Sequence, residues 1–465
     1  MSEEAKDTRR MMVAIEERDS AKFLIAADAL HYADLAEIFV RLKDDEREFF
    51  ADHIDKETFA DVITDLPDTL IEETLERLDA DEQREILDQV SDDDRVDILQ
   101  DVSDDARERL LELVEPDDIE ITKSLLKYGE DTAGGRMTTH FGSIRAEMTI
   151  KEALRSLREN SDETESFSRV YVLDAKEKLC GYVRFRDLAF NTWETPISEI
   201  QREVTRTILA SADQEEAAQM VSKYDLFVLP VIDEHNRMLG IIMHDDVVEI
   251  LEEESTEDME KMAGFSGEGS EETYLNTRTM THFKRRFPWL FGLAILAIAS
   301  GVVMIEFEDV LKDLFILSLF LPMVVAAGGN TGGQASTMVI RAMALGELDE
   351  GTLWRVAWKE LRLGLMLGSL LGIGMAIITV TIVPTFEVFA EKMPADIGFV
   401  KFGVAIAIAL AVQITSSTLV GSLLPIGARA AKIDPAVVAA PAITTIVDVS
   451  GMVIYFFVAK AILGL

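Results

Sequence analysis

The chain has 465 residues, with 45 Lys and Arg against 85 Asp and Glu and a formal net charge of -40. From Thr281 onward 13 basic and 13 acidic residues balance, so the whole excess lies in residues 1–280, where 32 basic residues face 72 acidic ones. A surface of that sign repels nucleic-acid phosphate and anionic lipid and attracts cations, and a single cysteine, Cys180, excludes an intrachain disulfide and fits a soluble part kept in a reducing cytosol.

The opening run, MSEEAKDTRR, has no apolar core of the kind a cleavable secretory signal needs. A twelve-residue beat follows further along, in DADEQREILDQV, SDDDRVDILQDV and SDDARERLLELV from residues 79, 91 and 103. The pairs Ile86/Leu87, Ile98/Leu99 and Leu110/Leu111 recur, and Val90, Val102 and Val114 close the units. The pattern predicts one short helix plus a turn per unit, with Ser91 and Ser103 as N-caps. Helices this short bury their apolar stripe only by stacking, so a superhelical all-α domain is expected.

VYVLDAKEKLCGYVRFRDL and LPVIDEHNRMLGIIMHDDV are one pattern written twice: Asp174, Gly181 and Asp187 return 59 residues later as Asp233, Gly240 and Asp246. Each copy reads as strand, turn, strand and helix start, with an amphipathic helix upstream. The doubled unit resembles a tandem pair of CBS domains. That resemblance implies an α/β fold and either adenine-nucleotide binding or a structural role, with Arg186 and Asp187 where such modules hold ribose and phosphates.

DDVVEILEEESTEDME, residues 245–260, contains nine acids and no base. Asp246, Glu249, Glu253, Glu257 and Glu260 fall three or four residues apart and share one helical face, where like charges repel. The face is read as one held by divalent cations, which prefer clustered carboxylates. A solvated helix is the alternative.

Five apolar spans follow, near 287–305, 314–340, 361–383, 399–424 and 436–463. Lys284, Arg285, Arg286, Arg341, Arg355, Lys359, Arg362, Arg429 and Lys432 all fall on one side if the N-terminal part is cytosolic, which places the C-terminus outside a plasma (inner) membrane. The second span contains LPMVVAAGGNTGGQAST, the fourth Gln413, Thr415, Ser416, Ser417 and Thr418, and the fifth Thr444, Thr445 and Asp448. Polar groups in three of five helices imply a shared wet path, which an anchor would not need.

PMVVAAGGNTGGQAST together with IDPAVVAAPAITTIVDVSGMVIYF, behind a helical domain and a CBS pair, resembles the MgtE family of magnesium channels and transporters. The resemblance covers the chain from about residue 35. It implies a homodimer in membrane lipid with five helices per subunit, a pore on the twofold axis for divalent metal ions, and Asp448 as its selectivity site. It also implies that Asp225, Asp246, Glu249, Glu254, Glu257 and Asp258 sense cytosolic magnesium through a connecting, or plug, helix. Many members have Asn before the Pro of the last motif; this chain has Ala440, and Asn330 is a candidate to compensate. Members that bind ATP at the CBS pair have an aromatic after the Tyr-Asp of the second copy, whereas here Leu226 stands there, followed by Phe227.

The chemistry of Asp448 points the same way. An Asp at a helix centre costs about 2.5–3.5 kcal/mol to insert, and two symmetry-related carboxylates would neutralise a divalent ion where one cannot. The carbonyl of Thr444, one turn earlier, is a candidate further ligand; Asp434 in KIDPA, at the inner border, is read as a helix cap and counted among the candidate metal-binding acids. Inward movement of a divalent ion gains about 4.6 kcal/mol per 100 mV, and the chain has no P-loop, so a passive, gated route is expected. No second intramembrane Asp supports a proteolytic dyad, and the chain is read as no enzyme. Two readings stay open: an anchored nucleotide sensor, and a transporter preferring cobalt or manganese. The expected division is an extension over 1–34, the helical domain over 35–130, the CBS pair over 131–250, the acidic connecting helix over 245–280 and the membrane domain over 281–465.

Overall fold

A computed structural model describes residues 3–116, 118–159, 164, 166–265, 277–348, 351–394, 397–437 and 440–465. Contacts divide the chain into two units, one built on Met1–Glu254 and the other on Leu275–Leu465 together with residues from Ser255.

The first unit begins with short helices that run from Glu3 to Leu125. The repeated segments form the helices Ala80–Gln89, Asp92–Asp101 and Asp104–Leu111. Asp79, Ser91 and Ser103 each accept a hydrogen bond from the backbone of the first turn, which satisfies donors that have no partner inside the helix. A second device sets the beat. Gln83, Arg95 and Arg107, twelve residues apart, each reach back eight residues to a carbonyl of the preceding helix: Gln83 Nε2 donates to Leu75 O at 2.6 Å, Arg95 Nε to Leu87 O at 2.8 Å, and Arg107 Nε to Leu99 O. Arg47 does the same to Phe39 O at 3.2 Å. Each guanidinium thus caps the negative end of the helix on which its own helix stacks.

Residues 3–34 are not an appendage to this domain, contrary to the expectation from sequence. Met11, Ile15 and Phe23 belong to the same core as Phe50, Ile63 and Leu87, and Phe23 meets Phe49 and Phe50 edge to face at 5.6 and 5.3 Å. Their short amphipathic helices lack the twelve-residue signature and so carried no sign of membership.

Two three-stranded sheets follow. β1 (Phe141–Arg145) pairs in parallel with β2 (Ser166–Leu173), which pairs antiparallel with β3 (Leu179–Arg184). β4 (Ile208–Leu209), β5 (Val228–Ile232) and β6 (Met238–Met243) repeat the arrangement. Tyr171 and Leu173 pack with Val228, Met238 and Ile241, so the sheets share a core. The 59-residue echo is largely structural. Asp174 and Asp233 each accept two backbone N–H groups of their hairpin turns, and three residues on Glu177 and Asn236 sit at φ 61° and 64°. The His244–Ala263 helix leaves the second copy, and the division between the units falls within it, after Glu254.

The second unit holds five long helices: Thr279–Glu306, Leu317–Ala344, Leu353–Thr381, Gly398–Ala430 and Ala440–Leu463. Four are long and apolar enough to cross a membrane. Leu317–Ala344 is as long, but its GGNTGGQ tract lowers its hydropathy, and twelve of its residues are buried against neighbours. Gly364, Gly368 and Gly372 of the third helix, one turn apart, lie against Thr415, Ala411 and Ala407 of the fourth. Backbones approach there as small residues permit in lipid. Tyr455 of the fifth helix donates to Leu317 O of the second at 2.7 Å, a buried anchor between the two. Arg429 Nη1 donates to Leu348 O at 3.4 Å and Lys401 Nζ to Leu463 O at 2.9 Å, which fixes which helix ends lie together.

Arg95 is the most committed of the reach-back residues, because its guanidinium also pairs with buried Asp92 at 3.2 Å. Arg95→Met is expected to lower the unfolding free energy of the first unit by about 3–5 kcal/mol, the cost of stranding a buried carboxylate. Arg107→Met should cost only about 1.5–3 kcal/mol, since its charged hydrogen bonds lie nearer solvent. Denaturant titration of the two variants measures the difference.

Candidate functional site

In the membrane unit the predicted polar residues converge unequally. Asp448 is half-buried on the fifth helix, and no charged side chain neighbours it among the described residues. The second helix passes it at Gly329, where an added Cβ would lie 3.7 Å from Asp448 Oδ1 and 3.2 Å from Thr444 Cγ2. Elsewhere in the tract the fit is tighter: a Cβ on Gly328 would lie 2.3 Å from Gln413 Nε2 and one on Gly332 3.1 Å from Ile443 Cγ2, so the glycines let the second helix pack closely against the fourth and fifth. Asn330 follows Gly329 and is exposed on the single chain. Thr444 is half-buried and shares that contact with Gly329. Gln413, Ser417 and Thr418 are buried in the fourth helix, with Gln413 Nε2 donating to Val447 O at 3.0 Å.

The linking helix has more countercharge than its sequence suggested. The acidic face was read as held by divalent cations, yet protein cations already occupy much of it. Within the first unit, Glu253 pairs with Arg136 at 2.6 Å, and Glu254 accepts from Gln214 at 2.8 Å. Within the second, Lys261 lies one residue beyond the nine-acid run and bonds both Glu257 and Asp434, the latter at 2.8 Å, while Arg285 pairs with Glu260. Burial opposes the charge on Lys261, but its bonds to Asp434 and Glu257 outweigh that and raise its pKa. Burial, and then repulsion by Asp434, raises the Asp258 carboxyl. Asp434 also accepts the Ala436 N–H at 2.8 Å, in the turn that precedes the fifth helix.

Asp225 ends the Gln214–Tyr224 helix at φ 50° and is exposed. Asp246 Oδ2 accepts the Met243 N–H at 2.8 Å and so closes the first turn of the linking helix. Its carboxyl is pushed up to about 7, first by burial and then by Asp93. Asp94 is likewise pushed up to about 7 by burial and Asp93, Asp97 is raised well above its ordinary range by burial, and burial and Glu253 raise Glu249. Asp93, Asp94 and Asp97 of the Asp92–Asp101 helix were missed from the sequence, since they read as part of the twelve-residue repeat. Among the described residues no three acidic, His or Cys side chains converge closely enough to chelate one ion. The set suits a cation that keeps its water shell, as magnesium does, better than a caged one.

At the CBS pair Asp187 is clamped: Arg184 Nε and Nη2 reach its two oxygens at 3.0 and 3.3 Å, and Arg202 Nε lies at 3.3 Å. The Arg184 bond holds its carboxyl below the usual range. Arg186 points to solvent, Phe227 is exposed and Leu226 half-buried.

Three family models match the chain: a divalent cation transporter domain over residues 321–458, an MgtE intracellular N domain over 30–131, and CBS domains over 133–191 and 197–253. The magnesium transporter MgtE of Thermus thermophilus is 33% identical over 341 residues, covering 73% of this chain and 72% of the relative. That of Bacillus subtilis is 32% identical over 349 residues, covering 75% and 73%. The solved cytosolic domain of the Mg2+ channel MgtE in complex with ATP is 33% identical, with a TM-score of 0.50, and covers 52% of this chain and 99% of that one.

The Asp94 and Asp246 carboxyls bind protons more tightly in the folded than in the unfolded chain, so the stability they contribute is full below about pH 4 and is lost as pH rises through about 7. The metal-free protein is expected to melt at a lower temperature at pH 8 than at pH 5.5. Asp94→Asn with Asp246→Asn should flatten that slope, and millimolar magnesium should raise the melting temperature at pH 8 more than at pH 5.5. Calorimetry across the four conditions reads the result.

Proposed function

This chain belongs to the MgtE family of magnesium transporters, a multi-pass membrane protein of a transporter rather than an enzyme family, and from that premise we propose that it conducts magnesium passively through a pore centred on Asp448. The observation that carries the reading is the placement of Asp448, without a protein cation among the described residues, beside the glycine tract of the second helix. Its partner is the Asp448 of a second copy, so the pore lies at a homodimer axis within membrane lipid. Two carboxylates balance one divalent ion, and magnesium, reluctant to shed water, is held largely hydrated between them. The Thr444 carbonyl and Asn330 are proposed to contact that water shell. All five helices are taken to cross the plasma membrane, with the N-terminal unit cytosolic and the C-terminus outside.

Gating is assigned to the cytosolic acids. Asp246, Glu249, Glu253 and Glu254, with Asp93, Asp94 and Asp97 facing them, would hold regulatory magnesium, as would Asp225, Glu257, Asp258 and Asp434. Bound there, magnesium supplies the countercharge that relieves carboxylate repulsion. Lys261 draws Glu257 toward Asp434, so part of the closed arrangement rests on the protein's own cation. ATP at Arg186 and Asp187 is a secondary reading: the related cytosolic domain solved with ATP favours it, and the Arg184 and Arg202 clamp opposes it.

In liposomes loaded with each ion in turn, Asp448→Asn is expected to cut magnesium uptake about 100-fold or more, beyond the 10–100-fold typical of groups that merely orient metal ligands. Magnesium should outcompete manganese, cobalt and calcium in the unsubstituted chain. A preference for cobalt or manganese would reassign the substrate. Glu257→Gln with Asp258→Asn should leave uptake running at high internal magnesium, and retained inhibition would count against their role.

A further inference from the structure

The fifth helix is held at Asp448 by a single amide from its neighbour. Gln413 is fully buried in the Gly398–Ala430 helix, and its Nε2 donates to the carbonyl of Val447, the residue immediately before Asp448. The acceptor fixes the orientation of the amide, because only its nitrogen can donate there. Two glycines make room for it. A Cβ on Gly328 would lie 2.3 Å from Gln413 Nε2, and one on Gly451 2.4 Å from the same atom, so neither position admits a side chain while the amide keeps its place. The amide is thus enclosed by three helices, the second, fourth and fifth. Among the described residues its Oε1 has no partner, and Ser417 Oγ, one turn along and 2.9 Å from a Cβ placed on Gly328, has none either.

Nothing in the magnesium chemistry requires an amide at that depth, and a leucine or methionine would fill the volume without the desolvation that an amide in an apolar setting costs. A buried amide that spends its donor on one backbone carbonyl, between two glycines cleared for it, is placed to fix position. The carbonyl it holds is one bond path from the Asp448 backbone, so it sets both the depth and the rotation of the carboxylate. A bridging site between two symmetry-related carboxylates is sensitive to that setting, since an error in one helix is doubled across the axis.

We propose that Gln413 is a positioning residue for Asp448 and thereby for ion selection, an inference that rests on the pore reading above. It touches no ion. It holds the helix that carries the ion's ligand.

The test compares four full-length chains in liposomes, the unsubstituted protein, Gln413→Met, Tyr455→Phe and Asp448→Asn, with uptake measured over a range of magnesium and with calcium as competitor. Gln413→Met keeps the volume and removes the donor. It is expected to raise the half-saturating magnesium about fivefold, the change given by losing about 1 kcal/mol of hydrogen bonding, and to lower the magnesium-over-calcium ratio by a similar factor. Tyr455→Phe removes another buried bond on the fifth helix, two turns from Asp448. It is expected to lower the melting temperature without moving the ion ratio, which separates positioning from general loss of packing. Should Gln413→Met fail to assemble, Gly451→Ala, which crowds the same amide, is measured in its place with the same expectation. The inference is overturned if Asp448→Asn abolishes uptake while Gln413→Met keeps the native half-saturation and ratio, or if Tyr455→Phe shifts the ratio as far as Gln413→Met does. If Asp448→Asn leaves uptake intact, the pore reading and this inference fall together.

Discussion

A carboxylate surrounded by apolar helices and lacking a cation of its own is costly, and the membrane unit is organised around the one at position 448. Among the described residues Asp448 has no charged neighbour. The helix beside it is cleared of side chains at Gly328 and Gly329, and the helix that carries it is tied down at Val447 by Gln413 and at Tyr455 by Leu317. None of these devices lowers the cost of the charge. They hold it still and leave one side open, which is useful only if the compensating charge comes from outside the chain. In the proposed reading, a mobile divalent ion shared with a second copy supplies it.

The cytosolic acids face the same problem in a wetter setting and meet it in two ways. Some are paired with protein cations in this arrangement: Arg136 with Glu253, Lys261 with Glu257 and Asp434, and Arg285 with Glu260. Others, Asp94 and Asp246 above all, are pushed up to about 7, first by burial and then by repulsion from Asp93. These ion pairs give the linking helix a default placement within each unit, and the acids without such a cation leave a contribution that depends on available countercharge. A sensor needs both, because a helix held only by metal has no defined state without it, and one held only by lysine and arginine cannot respond.

Much of the architecture was legible because it repeats or because it is written in hydropathy. The twelve-residue units announced their helices through paired apolar residues and serine caps, and the 59-residue echo announced the doubled sheet. Five apolar stretches matched five long helices, although the second is polar enough to fall below the hydropathy of a simple span. Less visible were pairings that depend on register in space. Gln83, Arg95 and Arg107 are spaced by twelve, so the signal for the reach-back caps was present, but a lone polar residue on a short helix is read as solvated. Residues 3–34 carry no repeat, and their place in the core became evident only from the Phe23 contacts. Lys261 lay one position outside the acidic run and was not weighed against it. Gln413 was grouped with its hydroxyl neighbours as polar lining, when its contacts make it an anchor.

The central claim is that two Asp448 side chains face one another across a shared conduit, and cysteine chemistry tests it directly. In a chain with Cys180→Ser as background, Asp448→Cys in membranes is compared with Ile446→Cys, an exposed position on the same helix. The account predicts that cadmium protects the Asp448→Cys thiols from a small alkylating reagent, and that mild oxidation links them into a covalent dimer, while Ile446→Cys gives neither effect. Ready linkage at 446 with none at 448 would turn the helix the other way and contradict the account.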